Sequence, residues 1–429
     1  MKLKGSTSHR RWTTVTAVLM IGSMATLVQS YVAIKLFFLT VFLVSSLVSL
    51  FLKRADLVVH GRLVFFYFCV GVVGIAWALV GVLNSHNYLR GNLEALRLYV
   101  VWSIAFVILY SLLRAGPSLR VMHSAMVMAG ILIPLINFVG LFDQFSGIGL
   151  VSEGVQQELD LRIGFGDGYI QMTSHNIGVM FLIAPYLLSL QFRADAGKSN
   201  SAITRLALVL SLALVVVSGR RALWIVVALT PCTILLLSGL TRSYGLLKPG
   251  GKRLLLACTA AGAVGLGMLV ISPNSGQDIG SVSRLKEAFS SEDERTIQRP
   301  YLINGFLKSP VLGSGFGAFA GYVRSDDRPW MYELTYYQML FNLGIVGVTI
   351  LAALFSRYFV AVVSLLRQFK HGAAVPFALL VAYCSFFIGA SSNPYFGSFD
   401  LLFFVGLLPY LSTFWRGFER QGSWIRTTS

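Results

Sequence analysis

The sequence predicts an all-α polytopic membrane protein of about twelve transmembrane helices. Of its 429 residues, 55% are hydrophobic and only 12% charged, and the mean hydropathy is +0.71. Soluble globular domains are not built this way. The apolar runs are continuous over roughly 17–25 residues, the length a helix needs to cross a bilayer, whereas barrel strands alternate over about ten. Lipid offers no partner to the backbone, so only helices or closed barrels can span it. The charges, finally, are segregated between alternate connections.

The expected spans are 13–29, 31–52, 63–84, 95–113, 119–142, 175–192, 203–218, 221–240, 254–273, 335–361, 374–391 and 398–415. The first follows the basic stretch Lys2–Arg11 and reads as a membrane helix held by its positive flank rather than a cleaved signal. An even number of spans puts both termini on one side. Connections on that side are short and basic: Lys53-Arg54, Arg114, Arg193–Lys198, Lys252-Arg253 and Arg367–Lys370, with Asp56, Asp195 and Glu419 as their acids. The positive-inside rule makes this the cytoplasmic side. The net charge of +17 is then an orientation signal and a contact for membrane lipid, and no nucleic-acid partner is expected. None of these loops could hold a soluble domain, and no GxxxxGK[ST] phosphate loop occurs. The cysteines Cys69, Cys232, Cys258 and Cys384 fall within spans and read as packing residues.

The chain thus divides into spans one to nine (1–273), a large external loop (274–334), and the last three spans with a cytoplasmic tail (335–429). The loop is polar in an otherwise apolar chain, and long ordered loops are usually functional. It carries Arg284, Lys286, Arg295, Arg299, Arg324 and Arg328 against Glu292, Asp293, Glu294, Asp326, Asp327 and Glu333. Residues Ser283–Ser290 can form a short amphipathic helix. Pro300 is tolerated in a first helical turn, so a helix is expected from Pro300 to Lys308. Gly313, Gly315 and Gly317, spaced by two, predict a tight turn passing close to another surface.

Several residues could carry chemistry. Arg220 and Arg221 stand in a corner between two spans, Ser218-Gly219-Arg220-Arg221-Ala222. Guanidinium groups there either snorkel or pair, or form a clamp for pyrophosphate, whose oxygens match their fork. Arg295 and Arg299 could be a charged solvated face or the second half of that clamp. Glu333 could be a helix-start acid or a general base on a sugar hydroxyl. Arg162 in the middle loop is a further candidate, and His175 reads as a capped or interfacial histidine. Tyr336, Tyr337, Trp330 and Tyr332 could stack on sugar rings or form an interfacial aromatic belt. No HExxH or DxD occurs, and no metal and no cofactor is expected.

These features together resemble the O-antigen polymerase/ligase superfamily of bacterial envelope polysaccharide synthesis. The resemblance rests on the Ser218–Ala222 corner, the large loop before the tenth span, D-E-R-x-x-Q at 293–298 and G-F-L-K-S-P-V-L-G-S-G-F-G at 305–317. It continues through Tyr332-Glu333-x-x-Tyr336, Leu343-Gly344-Ile345-Val346-Gly347, Ser392-Asn393-Pro394-Tyr395 and Ser398-Phe399-Asp400. It implies a fold like that of C-type glycosyltransferases in the bacterial inner membrane, with the active site at the periplasmic face. It implies undecaprenyl-pyrophosphate-linked glycans as donor and acceptor, together with a chain-length regulator. Ligases of this superfamily carry His-Asn where this chain has Glu333-Leu334, which favours the Wzy-type polymerase over the ligase. On this reading Glu333, Arg220, Arg221 and Arg295 are catalytic, and Arg162, Arg299, Tyr336 and Tyr337 bind substrate. The alternatives are the ligase, a flippase for lipid-linked sugars, and a non-catalytic envelope scaffold. A flippase would be expected to carry charges deep in several spans, where this chain has little beyond Lys35.

Overall fold

A computed structural model describes residues 6–51, 61–84, 87–114, 118–166, 169–257, 259, 294–324, 326–368, 373–392, 395–397 and 399–412. Among these, seven helices are long and apolar enough to cross a membrane, and four further apolar helices are shorter. Together they occupy eleven of the expected positions. The expected span 254–273 lies mostly outside the described residues. So do the helix expected at 283–290, residues Arg284, Lys286, Glu292, Asp293, Asn393, Pro394 and Ser398, and Cys258. The other three cysteines are free and half-buried.

Helices α1 (Ser6–Thr26) and α2 (Val32–Phe51) pack as a pair, and α1 also packs on α6 (Ser118–Ser146). Between them come α3 (Gly61–Leu83) and α4 (Leu89–Leu96); the latter runs through a π turn, Arg97–Val101, into α5 (Trp102–Arg114). The centre of the bundle is α8 (Met180–Phe192), against which α13 (Ala374–Gly389) packs. Both are apolar on every side and almost wholly buried, as helices lacking a polar face must be. Helices α9 (Ala202–Val217) and α10 (Arg221–Leu240) meet at the Ser218–Arg221 corner. There the Trp224 indole N–H donates to the Val215 carbonyl at 2.8 Å and locks the turn.

The middle loop departs from an all-helical expectation. After α7 (Glu153–Leu159), β1 (Arg162–Gly166) and β2 (Tyr169–Thr173) form an antiparallel hairpin in which Arg162 pairs with Thr173. The hairpin docks on the corner through Met172 N–H to the Ser218 carbonyl, 3.0 Å.

In the long loop, α11 runs Glu294–Lys308 with Pro300 inside it, not from Pro300 onward as expected. Contacts outweigh the proline here. Gln298 accepts from the Glu333 N–H at 3.0 Å and Arg295 bonds the Glu333 carboxylate, fixing turns that Pro300 alone would not support. The helix N-terminus expected at Pro300 is therefore not formed.

The following segment enters the bundle. Helix α12 (Thr335–Gln368) breaks at Gly344, whose φ of 61° and ψ of −172° only glycine adopts readily. The 310–317 segment splices into the break: Ser314 and Gly315 N–H groups donate to the Phe341 and Asn342 carbonyls, and Ile345 and Val346 donate to Pro310 and Val311. Irregular backbone at membrane depth is tolerated only where protein satisfies it. Gly313, Gly315 and Gly317 all have positive φ, and a methyl at Gly315 would sit 2.1 Å from the Gly81 nitrogen. The close approach expected from the glycine spacing is present. Two small apolar clusters complete the docking. Trp77, Phe316 and Leu343 belong to one, and Leu302, Ala318, Tyr332 and Phe341 to the other.

Candidate active site

The loop, the π turn and the broken helix enclose a polar cavity of about 650 Å³. Its walls include Glu94 and Arg97 from the start of the fourth span, His175 ahead of α8, Arg328 and Trp330 from the long loop, and Thr335, Gln338 and Asn342 from α12 before its break. Beside it lies an apolar groove of about 470 Å³ lined by Phe66, Val70, Tyr336, Leu340, Val348 and Phe355, among others. Leu98, Tyr99, Met339 and Phe396 line both. A half-open cavity with charged and polar residues on its wall therefore adjoins an apolar groove, a shape that suits a molecule with a polar head and a long apolar tail.

Of the residues expected at the site, Tyr336 lines the groove, while the arginines and Glu333 are not among the cavity's lining residues and fall into two groups. In the first, Arg162 is exposed and pairs with Asp160, Nη2 to Oδ1 at 2.7 Å. His175, on the cavity wall, lies within electrostatic reach of Asp160, Arg162, Arg220 and Glu158. Arg220 is the residue preceding α10, and Arg221 opens that helix; both are half-buried. The β hairpin that begins at Arg162 meets the corner through Met172 and Ser218.

The second group centres on Glu333. Its Oε2 accepts from Arg295 Nε and its Oε1 from Arg324 Nη2, each at 2.8 Å. Arg324 also lies 3.8 Å from Glu294. These two arginines and two acids balance one another. Met331 and Thr335, two residues to either side of Glu333, line the cavity. Arg299 is placed over the Tyr337 ring, 5.7 Å from its centroid.

The aromatic residues separate by position. Trp330 faces the cavity and packs on Tyr88. Tyr336 lines the groove and donates to the Phe387 carbonyl at 2.5 Å. Tyr332 is fully buried and accepts from the Ala320 N–H at 2.8 Å, so it is a core residue and not a platform for sugar. Burial pushes its phenol up to about 12. Sequence reasoning missed Arg97, Glu94, Arg328, Gln338 and Asn342 as wall residues and gave His175 only a structural role. A usable signal existed for Arg97, an arginine inside an otherwise apolar segment.

Among the described residues, no three His, Cys, Asp or Glu side chains gather where they could hold a metal ion. Fold and cavity define a multi-pass membrane protein with a polar chamber against the bilayer. Residues 206–352 match the family model described as O-antigen ligase. This stretch contains the Ser218–Arg221 corner, Arg295, Arg299, Glu333, Tyr336 and the broken helix. The match supports placing the chain in the O-antigen polymerase/ligase superfamily, whose members are glycosyl-transferring enzymes, without separating polymerase from ligase. No curated protein matches the chain.

Proposed function

We propose that the protein polymerises undecaprenyl-pyrophosphate-linked oligosaccharide repeat units at the periplasmic face of the bacterial inner membrane. The observation carrying this reading is the polar cavity that shares four lining residues with an apolar groove. The groove accommodates prenyl chain and the cavity accommodates pyrophosphate and the first sugars.

In this reaction the bond between the anomeric carbon and the pyrophosphate oxygen breaks, and the oxygen keeps the electron pair. A hydroxyl of the acceptor repeat unit forms the new bond and loses its proton. Fixed cations aimed at charge that develops in the transition state lower the barrier, typically by ~3–4 kcal/mol per donor. Arg220 and Arg221 on one flank, and Arg295 on the other, supply that field; Arg162 and Arg299 extend it outward. Tyr336 contacts the prenyl chain and Tyr337 holds Arg299. Glu333, with both oxygens engaged by guanidinium groups, aligns Arg295 and Arg324. His175, whose ring lines the cavity, is the group in position to accept the hydroxyl proton.

Transfer to lipid A core is the second reading, favoured by the description of the matching family. Purified protein in liposomes, supplied with lipid-linked repeat units and with lipid A core, separates the possibilities. A ladder of longer lipid-linked glycans supports polymerisation. Glycan on lipid A supports the ligase. Movement of repeat units across the bilayer without elongation refutes both.

A further inference from the structure

Arg97 is an exposed arginine inside a candidate membrane span. It is the ninth residue of Leu89–Leu113, a segment long and apolar enough to span a membrane, so it lies about 12 Å along from the segment's start at 1.5 Å per residue. A charge at such depth is costly unless it meets water, an acid or an anion. Among the described residues Arg97 has neither an ion pair nor a hydrogen bond from its side chain. The acid one turn away, Glu94, lies 3.7 Å from Arg90 instead. By contrast, Arg295 and Arg324 hold Glu333, Arg162 holds Asp160, and Arg193 holds Asp195.

Its position explains what it waits for. Arg97 lines the polar cavity and opens the π turn Arg97–Val101. Such turns insert a residue into the helical ladder and recur at functional sites. The next two residues, Leu98 and Tyr99, line both cavity and groove. The guanidinium therefore belongs to the seam where a polar head would join an apolar tail. Arg328 is a second cation of the same cavity. Asn342 is also on its wall and 7% exposed.

We propose that Arg97 binds the diphosphate of a prenyl-diphosphate lipid directly, at the junction of cavity and groove, with Arg328 as a second ligand from the loop. The proposal rests on the donor class read above and adds the residues that hold it. Arginine suits this role because its planar fork engages two phosphate oxygens at once.

The test is binding rather than turnover. Purified protein in nanodiscs is titrated with geranylgeranyl diphosphate, with geranylgeraniol and with inorganic pyrophosphate. Wild type is expected to prefer the lipid diphosphate over both fragments. Arg97→Gln should weaken it ~10–100-fold, the loss typical of one charge-assisted contact, leave geranylgeraniol unchanged, and be partly rescued in Arg97→Lys. Equal affinity of Arg97→Gln and wild type for the lipid diphosphate overturns the assignment, and so does pyrophosphate binding as tight as that of the lipid. Failure of wild type to bind any prenyl diphosphate overturns the donor reading itself. As a check on wild-type protein alone, the lipid diphosphate should shield Arg97 from phenylglyoxal in peptide mapping; undiminished modification also overturns the proposal.

Discussion

Arg295 and Glu333 meet across 38 residues of sequence, Nε to Oε2 at 2.8 Å, while Arg324 takes the other carboxylate oxygen. Glu333 is only 16% exposed, whereas both arginines are about one-third exposed. Water therefore screens part of the pairing, and loss of the acid should cost about 1–2 kcal/mol rather than the larger penalty of a fully buried pair. If Glu333 aligns the arginines, Glu333→Gln should lower transfer activity about tenfold or more with the protein still folded. The residual activity of Glu333→Gln should keep the wild-type pH profile, whereas removal of a general base should change it. Transfer rates of wild type and variant measured across pH distinguish the two roles.

The glycines of the spliced loop should be intolerant in proportion to what they touch. Gly315→Ala would combine a φ of +79° with a methyl 2.1 Å from the Gly81 nitrogen. Strain and overpacking together should cost about 3 kcal/mol or more. Gly313→Ala meets the Asn342 carbonyl at 2.5 Å and should behave alike. Gly154→Ala, with open space around it, should be close to neutral. Melting temperatures in detergent test the ranking.

The spans were legible because bilayer thickness imposes one length on every crossing helix, and runs such as Val32–Phe51 announce it. The corner at Ser218–Arg221 and the close approach of Gly313–Gly317 were legible for a similar reason, since turn chemistry is local. The extent of α11 was not. It depends on Gln298 and Arg295 finding Glu333, and a local rule about Pro300 cannot anticipate a partner more than thirty residues away. The cavity was equally hidden. Arg97 and Arg328 share its wall only because the π turn and the loop converge on the broken α12. Sequence reasoning favoured arginines that stood in clusters, and several of these proved to be paired with acids in the structure. The isolated Arg97 carried the stronger physical anomaly.

Lys35 and Asp400 form a second long-range pair, 2.8 Å apart and 4% and 0% exposed. They tie α2 to α14 (Phe399–Val405), and the Gln29 N–H also donates to Asp400 at 3.0 Å. Gln29 and Phe399 line the polar cavity, so the pair braces one of its walls. Removing one partner of a buried pair leaves an unpaired charge and typically costs ~3–5 kcal/mol, whereas replacing both by apolar groups is often neutral. Lys35→Met should therefore reduce the amount of folded protein sharply, and Lys35→Met with Asp400→Leu should recover most of it. A double variant no more stable than the single one would show that the charges themselves, not their mutual pairing, are required.

The apolar groove makes the most direct prediction about substrate. Val348 and Ala352 lie one turn apart on α12 beyond its break and both line the groove. Tryptophan at either position would fill much of the space a prenyl chain needs, yet neither residue belongs to the fully buried core, so the fold should survive. Ala352→Trp and Val348→Trp should keep a melting temperature within a few degrees of wild type and lose transfer by at least about tenfold. The loss should appear as a raised KM for the lipid-linked donor, because an occupied groove opposes binding before any bond changes. A variant with unchanged KM but a low kcat would instead mean that the groove moves during the reaction, and that the prenyl chain is held elsewhere on the bundle.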